Sequence, residues 1–354
     1  MSARHVLALA LLSAGLGVAC GSDFEPPSRL AKLRLLGVRA DKPFARPGDE
    51  VALEALALDP AGRELTWAWA TCVNPAASGA TGCLAEADWA SAVTGRSLDR
   101  HRVRVPADAL AKLTPEARPA AVLGVAVVVC PGTLARGTGL PPTPLSCTDA
   151  TGRALGLDEV EVAVKRVFLR ASDVNTNPAI EGVTWDGAPW PEGEVREADA
   201  CDTAKDDFSE CDEALAHRVE VRSPAGERGL DENGVPFDEQ TVVQLYATEG
   251  IFEHAVRIAS DPATRWVGRT PARGRVVDFW FVVRDDRGGV TWTTRRARVR
   301  EVVRDCTCAS DLASRSLSPR SPEDVKRARS WRPAPSRPRE AWRDGLPAPP
   351  PRAP

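Results

Sequence analysis

From Leu33 onward, apolar and polar residues alternate in short runs separated by clusters of Gly, Pro, Asp and Asn, the spacing expected of a β-sandwich. Leu33 to Val38 reads as an opening strand, with a turn through Lys42-Pro43 and Arg46-Pro47-Gly48-Asp49 after it. Val51, Leu53, Ala55 and Ala57 then share one face, Asp59-Pro60-Ala61-Gly62 turns the chain, and Leu65, Trp67 and Trp69 alternate with Thr66 and Ala68. Val122 to Cys130 is a continuous apolar run suited to a central strand, and Glu159 to Phe168 closes the unit. A second half repeats the order with an insertion: Glu239 to His254 sits like Glu50 to Trp69, and Val276 to Arg284 like Val122 to Cys130. Asp285-Asp286-Arg287-Gly288-Gly289 is a hairpin turn into Val290 to Arg300. Phe279 and Phe281 alternate with Trp280 there, so one face is expected to be core and the other partly exposed.

The stretch from Gly48-Asp49 to Asp59-Pro60-Ala61-Gly62-Arg63-Glu64-Leu65-Thr66-Trp67-Ala68-Trp69 resembles the B and C strands of PKD-type immunoglobulin-like domains of bacterial surface proteins. That resemblance implies an all-β chain with two tandem immunoglobulin-like β-sandwiches, residues 30–167 and 168–303, the second carrying an acidic insertion. It speaks for a fold and hardly for a function. Residues 304–354 hold ten Pro, eleven basic and six acidic residues, a composition that cannot bury enough apolar area to order itself, and read as a disordered C-terminal tail.

The first residues carry an address. Arg4 precedes the apolar and small residues Val6 to Val18, and Ala19-Cys20 follows, the charged, apolar, small-residue order of an export signal over residues 1–19. The apolar stretch is too short to span a bilayer, which takes about 20 residues, and no later segment approaches that without a charge. Cys20 after Gly17-Val18-Ala19 resembles the lipobox of bacterial lipoproteins, whose Cys is diacylated on sulfur. Gly17 stands where that family prefers Leu, which leaves ordinary signal cleavage with Cys20 as a free thiol as the alternative. Residues 20–29, with Pro26-Pro27, then form a tether, and Gly21 rather than Asp after the Cys implies sorting to the outer membrane, on a face the sequence does not specify.

Apart from Cys20, eight cysteines fall in adjacent pairs, Cys72/Cys83, Cys130/Cys147, Cys201/Cys211 and Cys306/Cys308, the even loop spacing of disulfides in an exported chain. No C-x-x-C is present to suggest a zinc site. In the immunoglobulin-like fold that the resemblance implies, Cys72 and Cys130 end neighbouring antiparallel strands at opposite poles, so the local pairs Cys72–Cys83, Cys130–Cys147 and Cys201–Cys211 are expected instead.

The formal net charge of −3, from 46 basic and 49 acidic residues, argues against a nucleic-acid partner, which needs a basic stripe. Six Lys against forty Arg reflect a GC-rich genome more than a ligand. There is no phosphate-cradling loop, G-x-S-x-G or H-E-x-x-H, and Ser97, Asp99 and His101 on one extended face would lie too far apart for a catalytic relay. His217 and His254 read as exposed polar residues. These absences favour a non-enzymatic envelope lipoprotein, held to the membrane by its lipid and working in adhesion, scaffolding or ligand binding with an envelope protein or glycan. The alternative is a carbohydrate-binding accessory module of an envelope hydrolase system, with Trp185 and Trp190 as a platform in their Pro/Gly loop. No cofactor is expected except calcium, for which the acidic insertion Asp199 to Glu213 offers Asp202, Asp206, Asp207 and Glu210.

Metabolic labelling with a fatty-acid analogue should mark the wild type and miss Cys20→Ser. An unmodified Cys20 at the mature N-terminus overturns the anchor.

Overall fold

The computed structural model describes residues 26–75, 80–202 and 207–300. Cys20, Asp206 and the segment with Cys306 and Cys308 lie outside the described residues. The first sandwich consists of β1 (Arg34–Ala40), β2 (Phe44–Ala45), β3 (Glu50–Leu58), β4 (Thr66–Val73), β5 (Val93–Arg96), β6 (Arg100–Arg104), β7 (Val122–Cys130), β8 (Thr133–Arg136), β9 (Leu145–Thr148), β10 (Ala154–Leu155) and β11 (Glu161–Leu169), with a helix α1 (Ala80–Glu86) after β4. The second consists of β12 (Gly182–Trp185), β13 (Ala188–Pro189), β14 (Val195–Ala198), β15 (Ala200–Cys201), β16 (His217–Arg222), β17 (Arg228–Leu230), β18 (Pro236–Asp238), β19 (Thr241–Ala247), β20 (Ile251–Phe252), β21 (Val256–Ile258), β22 (Ala263–Arg269), β23 (Val276–Asp285) and β24 (Val290–Val299). Among the described residues no helix is long and apolar enough to cross a membrane.

Both halves are immunoglobulin-like sandwiches of one strand order. In the first, the layer β1-β3-β6 faces β2-β11-β7-β4-β5; in the second, β12-β16-β22 faces β14-β24-β23-β19-β21. The equivalence corrects the repeat expected from sequence. The counterpart of β3 is β16, and Thr241–Ala247 corresponds to β4, one strand later than the alignment of Glu239–His254 with Glu50–Trp69. In His-Arg-Val-Glu-Val-Arg only Val219 and Val221 are buried, so the strand is hidden among charges.

β7 is apolar throughout because both its faces are covered. Leu123, Val125, Val127 and Val129 meet Trp67, Trp69, Val51 and Leu53 inside the sandwich. Ala126, Val128 and Cys130 point outward under a cap formed by α1 and the β8-β9-β10 hairpins. The cap is stapled by Cys72–Cys83 and Cys130–Cys147, with Cα separations of 5.5 and 5.9 Å, and Cys201–Cys211 closes the insertion of the second half at 5.5 Å. Each loop contributes about 3 kcal/mol by the chain-entropy argument. Gly124 lies opposite Cys72, where a Cβ would collide with both sulfurs of that bridge, so only glycine lets the cap sit this close.

The two sandwiches meet along an apolar seam. Trp280, Val282 and Val290 on the outer face of β23 and β24 pack with Leu30, Leu36, Leu56, Leu58, Tyr246 and Trp292. A bulge between Leu35 and Gly37 turns Leu36 out of the first core and into the seam, and Gly37 lies beside Val282, Val290 and Trp292. At about 1.5–3 kcal/mol per fully buried side chain, this contact holds the halves as one body. All described residues fall in one compact unit. Polar groups fix the register. Asn177 donates from Nδ2 to Ala40 O (2.8 Å) and accepts from Val290 N (2.9 Å), Arg284 donates to Leu36 O, and Lys165 Nζ donates to Gly288 O.

Burial pushes the Lys165 ammonium down to about 8, helped by Arg284 and opposed by Asp285. Between about pH 8 and the ordinary lysine value near 10.4 the unfolded chain therefore binds a proton that the folded chain does not, and stability rises with pH through that window. Urea midpoints should show wild type gaining on Lys165→Met from pH 8 to pH 10. Parallel curves would overturn the assignment.

Candidate functional site

Trp185 and Trp190 do not form a platform. They are 4 % and 1 % exposed, packed edge-to-face at 4.7 Å between centroids and in contact with Phe279. The intervening Asp186-Gly187 takes positive φ at both residues and closes the β12–β13 hairpin, which folds Trp190 back into the core. Trp190 Nε1 donates to Glu194 O at 3.2 Å. His217, expected at the surface, stacks on Trp185 at 4.5 Å with Nδ1 2.8 Å from Asp186 Oδ2, whereas His254 is exposed as expected.

The described carboxylates of the acidic insertion turn to different partners. Asp202 accepts from Arg273 (3.2 Å) and Thr270 Oγ1 (3.3 Å), Asp199 from Arg300 (2.7 Å), and Asp207 from Ser209 N and Oγ (2.9 and 2.7 Å). Glu210 sits exposed on the short turn Phe208–Glu210. Arg273 and Arg300 thus offset the charge of Asp202 and Asp199. Among the described residues no three His, Cys, Asp or Glu side chains are grouped to hold a metal. Asp202, Asp207 and Glu210 belong to no such group among the described residues, and Asp206, the fourth ligand expected, lies outside them. Asp231 caps its own hairpin, accepting from Asn233 N and Val235 N (2.9 and 2.8 Å).

The concave feature that stands out is a cleft of about 950 Å³ over the outer face of β1-β3-β6, walled by the inter-sandwich linker at Asn177. Arg39, Asp41, Glu54, Arg100, His101 and Arg102 line it. Strand alternation sends His101, Val103 and Val105 toward the core and Arg100, Arg102 and Arg104 outward. Glu54 accepts from Arg39 and from Arg100 (3.0 Å), and Arg102 bonds Glu50 at 2.6 Å. Burial raises the Glu54 carboxyl, but hydrogen bonds from the two arginines outweigh it and hold it below its ordinary value. Asp41 is occupied by Ala52 N (2.8 Å), and Arg39 also lies over Trp292, 4.6 Å from the ring centroid. His101 stacks on Trp69 at 5.7 Å, and burial lowers its pKa.

Ser97 has φ +52°, so it does not share an extended face with Asp99 and His101. The site therefore offers paired guanidinium and carboxylate groups on a fixed floor, suited to holding a charged partner. Sequence reading passed over it, although Arg100-His101-Arg102-Val103-Arg104 carries the period of two, because the arginine excess concealed one ordered row.

No protein-family model and no curated protein matches the sequence. Among solved structures the chain is similar to one titled D0-D1 domain of Intimin, at 11% identity over 75% of this chain and 99% of that one, with a TM-score of 0.20. The immunoglobulin-like assignment rests on the strand order described above.

Trp190→Ala should lower unfolding stability by about 3–5 kcal/mol, the cost of emptying a packed aromatic site. A denaturation curve unchanged by the substitution would mean that the ring is not a core residue.

Proposed function

We propose that this chain is a non-enzymatic binding module of the cell envelope, exported, anchored to the outer membrane through a lipid on Cys20, and acting in adhesion or scaffolding. The observation that carries the reading is the cleft at the sandwich junction. Its walls are fixed by an apolar seam, and its carboxylates are engaged by arginine or backbone donors, an arrangement suited to recognising charge and shape. The three disulfides support an oxidising, extracytoplasmic setting. With Trp185 and Trp190 in the core, the carbohydrate-platform alternative has lost the two residues on which it stood.

Proximity labelling on intact cells tests the proposal. The wild type should mark a reproducible set of envelope neighbours that Arg100→Glu/Arg102→Glu loses at equal abundance, and Cys20→Ser should leave the membrane fraction. Neighbours indifferent to the charge reversal would overturn the cleft as the binding site.

A further inference from the structure

The sandwiches share a strand order but finish one edge differently. In the second, β22 pairs with β16 on one side, while β20 closes the other through Val267 and Trp266, extended by Glu253 N donating to Arg265 O (2.9 Å). In the first, the equivalent strand β6 pairs with β3, and among the described residues no strand lies on its far side. The layer β1-β3-β6 therefore stops where an immunoglobulin sheet of the A-B-E-D kind carries a fourth strand.

The open edge has a definite chemistry. Val105 N donates to Asp49 O (2.8 Å) and Ala55 N to Asp99 O (2.7 Å), so the odd-numbered residues of this strand face β3. By alternation, the N–H and C=O groups of Arg100, Arg102 and Arg104 face the open side. These are also the residues whose side chains stand on the outer face, with the Arg100 and Arg102 side chains 74 % and 72 % exposed. Each guanidinium has five donors, and Glu54 and Glu50 engage only part of them.

An open edge is a template for another strand. A second copy of this chain is disfavoured as occupant, because antiparallel pairing about a two-fold sets Arg102 against Arg102 and Arg100 against Arg104, and like charges directly opposite destabilise a sheet. We infer that β6 receives an extended acidic peptide segment of a partner protein by strand addition, in the vacant fourth-strand position, with carboxylates at alternate residues over Arg100, Arg102 and Arg104. Main-chain bonds would give affinity and the arginine row would select sequence. The inference deepens the binding-module reading and rests on it.

Fluorescence anisotropy on the purified mature chain, using a labelled peptide of about eight residues alternating Thr and Glu, tests it. Saturable binding that weakens with salt is expected, with at least a tenfold loss in Arg102→Glu, near-retention in Arg102→Lys, and none for a Thr-Lys repeat. The same Thr-Glu peptide N-methylated at alternate residues keeps its charge but cannot complete the ladder, and should also lose at least tenfold. Equal binding of the methylated peptide, or indifference to Arg102→Glu, overturns strand addition. The peptide arms hold even if a variant folds poorly. If no peptide binds while cellular neighbours still depend on Arg100 and Arg102, this inference fails and the binding-module reading stands.

Discussion

Trp280, Val282, Val290 and Trp292 form an apolar stripe on the outer face of a sheet, where an immunoglobulin-like domain standing alone would meet water. Covering that stripe is the constraint from which the rest of the body follows. The first sandwich answers it with the β1 bulge, which sends Leu36 outward while Val38 and Ala40 stay in its own core. Asn177 joins the two halves through one carboxamide. The cleft is a by-product of this docking. Its floor belongs to the first sandwich, and one wall is the linker that the seam holds in place.

The halves also differ in how they protect a sheet. In the first, the outer face of β7 and β4 is kept small by Ala68, Ala70, Gly124 and Ala126, so a disulfide-stapled cap lies flat on it. In the second, the same outer face is the seam itself, and the bridge Cys201–Cys211 moves to the opposite layer, packed with Ile251 and Val267. One topology thus carries two coverings, and the cysteines sit wherever a loop rather than a neighbouring domain performs that task.

Much of this was legible in the sequence, where local pattern and fold demand coincide. The continuous run Val122–Cys130, the hairpin about Gly288-Gly289 and the alternation of Trp67 and Trp69 all stand as strands, and the three local disulfides form. Features that depend on contact between distant segments were not legible. Trp280 was expected to be partly exposed and is covered because Leu36 reaches it from the other sandwich. Trp185 and Trp190 looked like loop residues because Pro and Gly flank them, yet that flanking makes the tight hairpin that buries them. The carboxylates near Asp202 read as a cluster in one dimension, whereas Asp202 and Asp199 each turn to an arginine and Asp207 to a backbone donor.

The N-terminal segment enters the body at an unexpected place. Ser28 O accepts from Ala247 N and Leu30 N donates to Ala247 O, both at 2.9 Å, so residues ahead of the first sandwich add a short parallel rung to β19 of the second. At the far end Arg300 N donates to Ala198 O, beside β24. A pull between these ends therefore runs through β19, β23 and β24, three neighbours in one sheet, for as long as that rung and the buried Leu30 hold. The first sandwich lies outside the line of force. Tension on the N-terminal residues would load first the strands that carry the seam, Tyr246 on β19, Trp280 and Val282 on β23, and Val290 and Trp292 on β24.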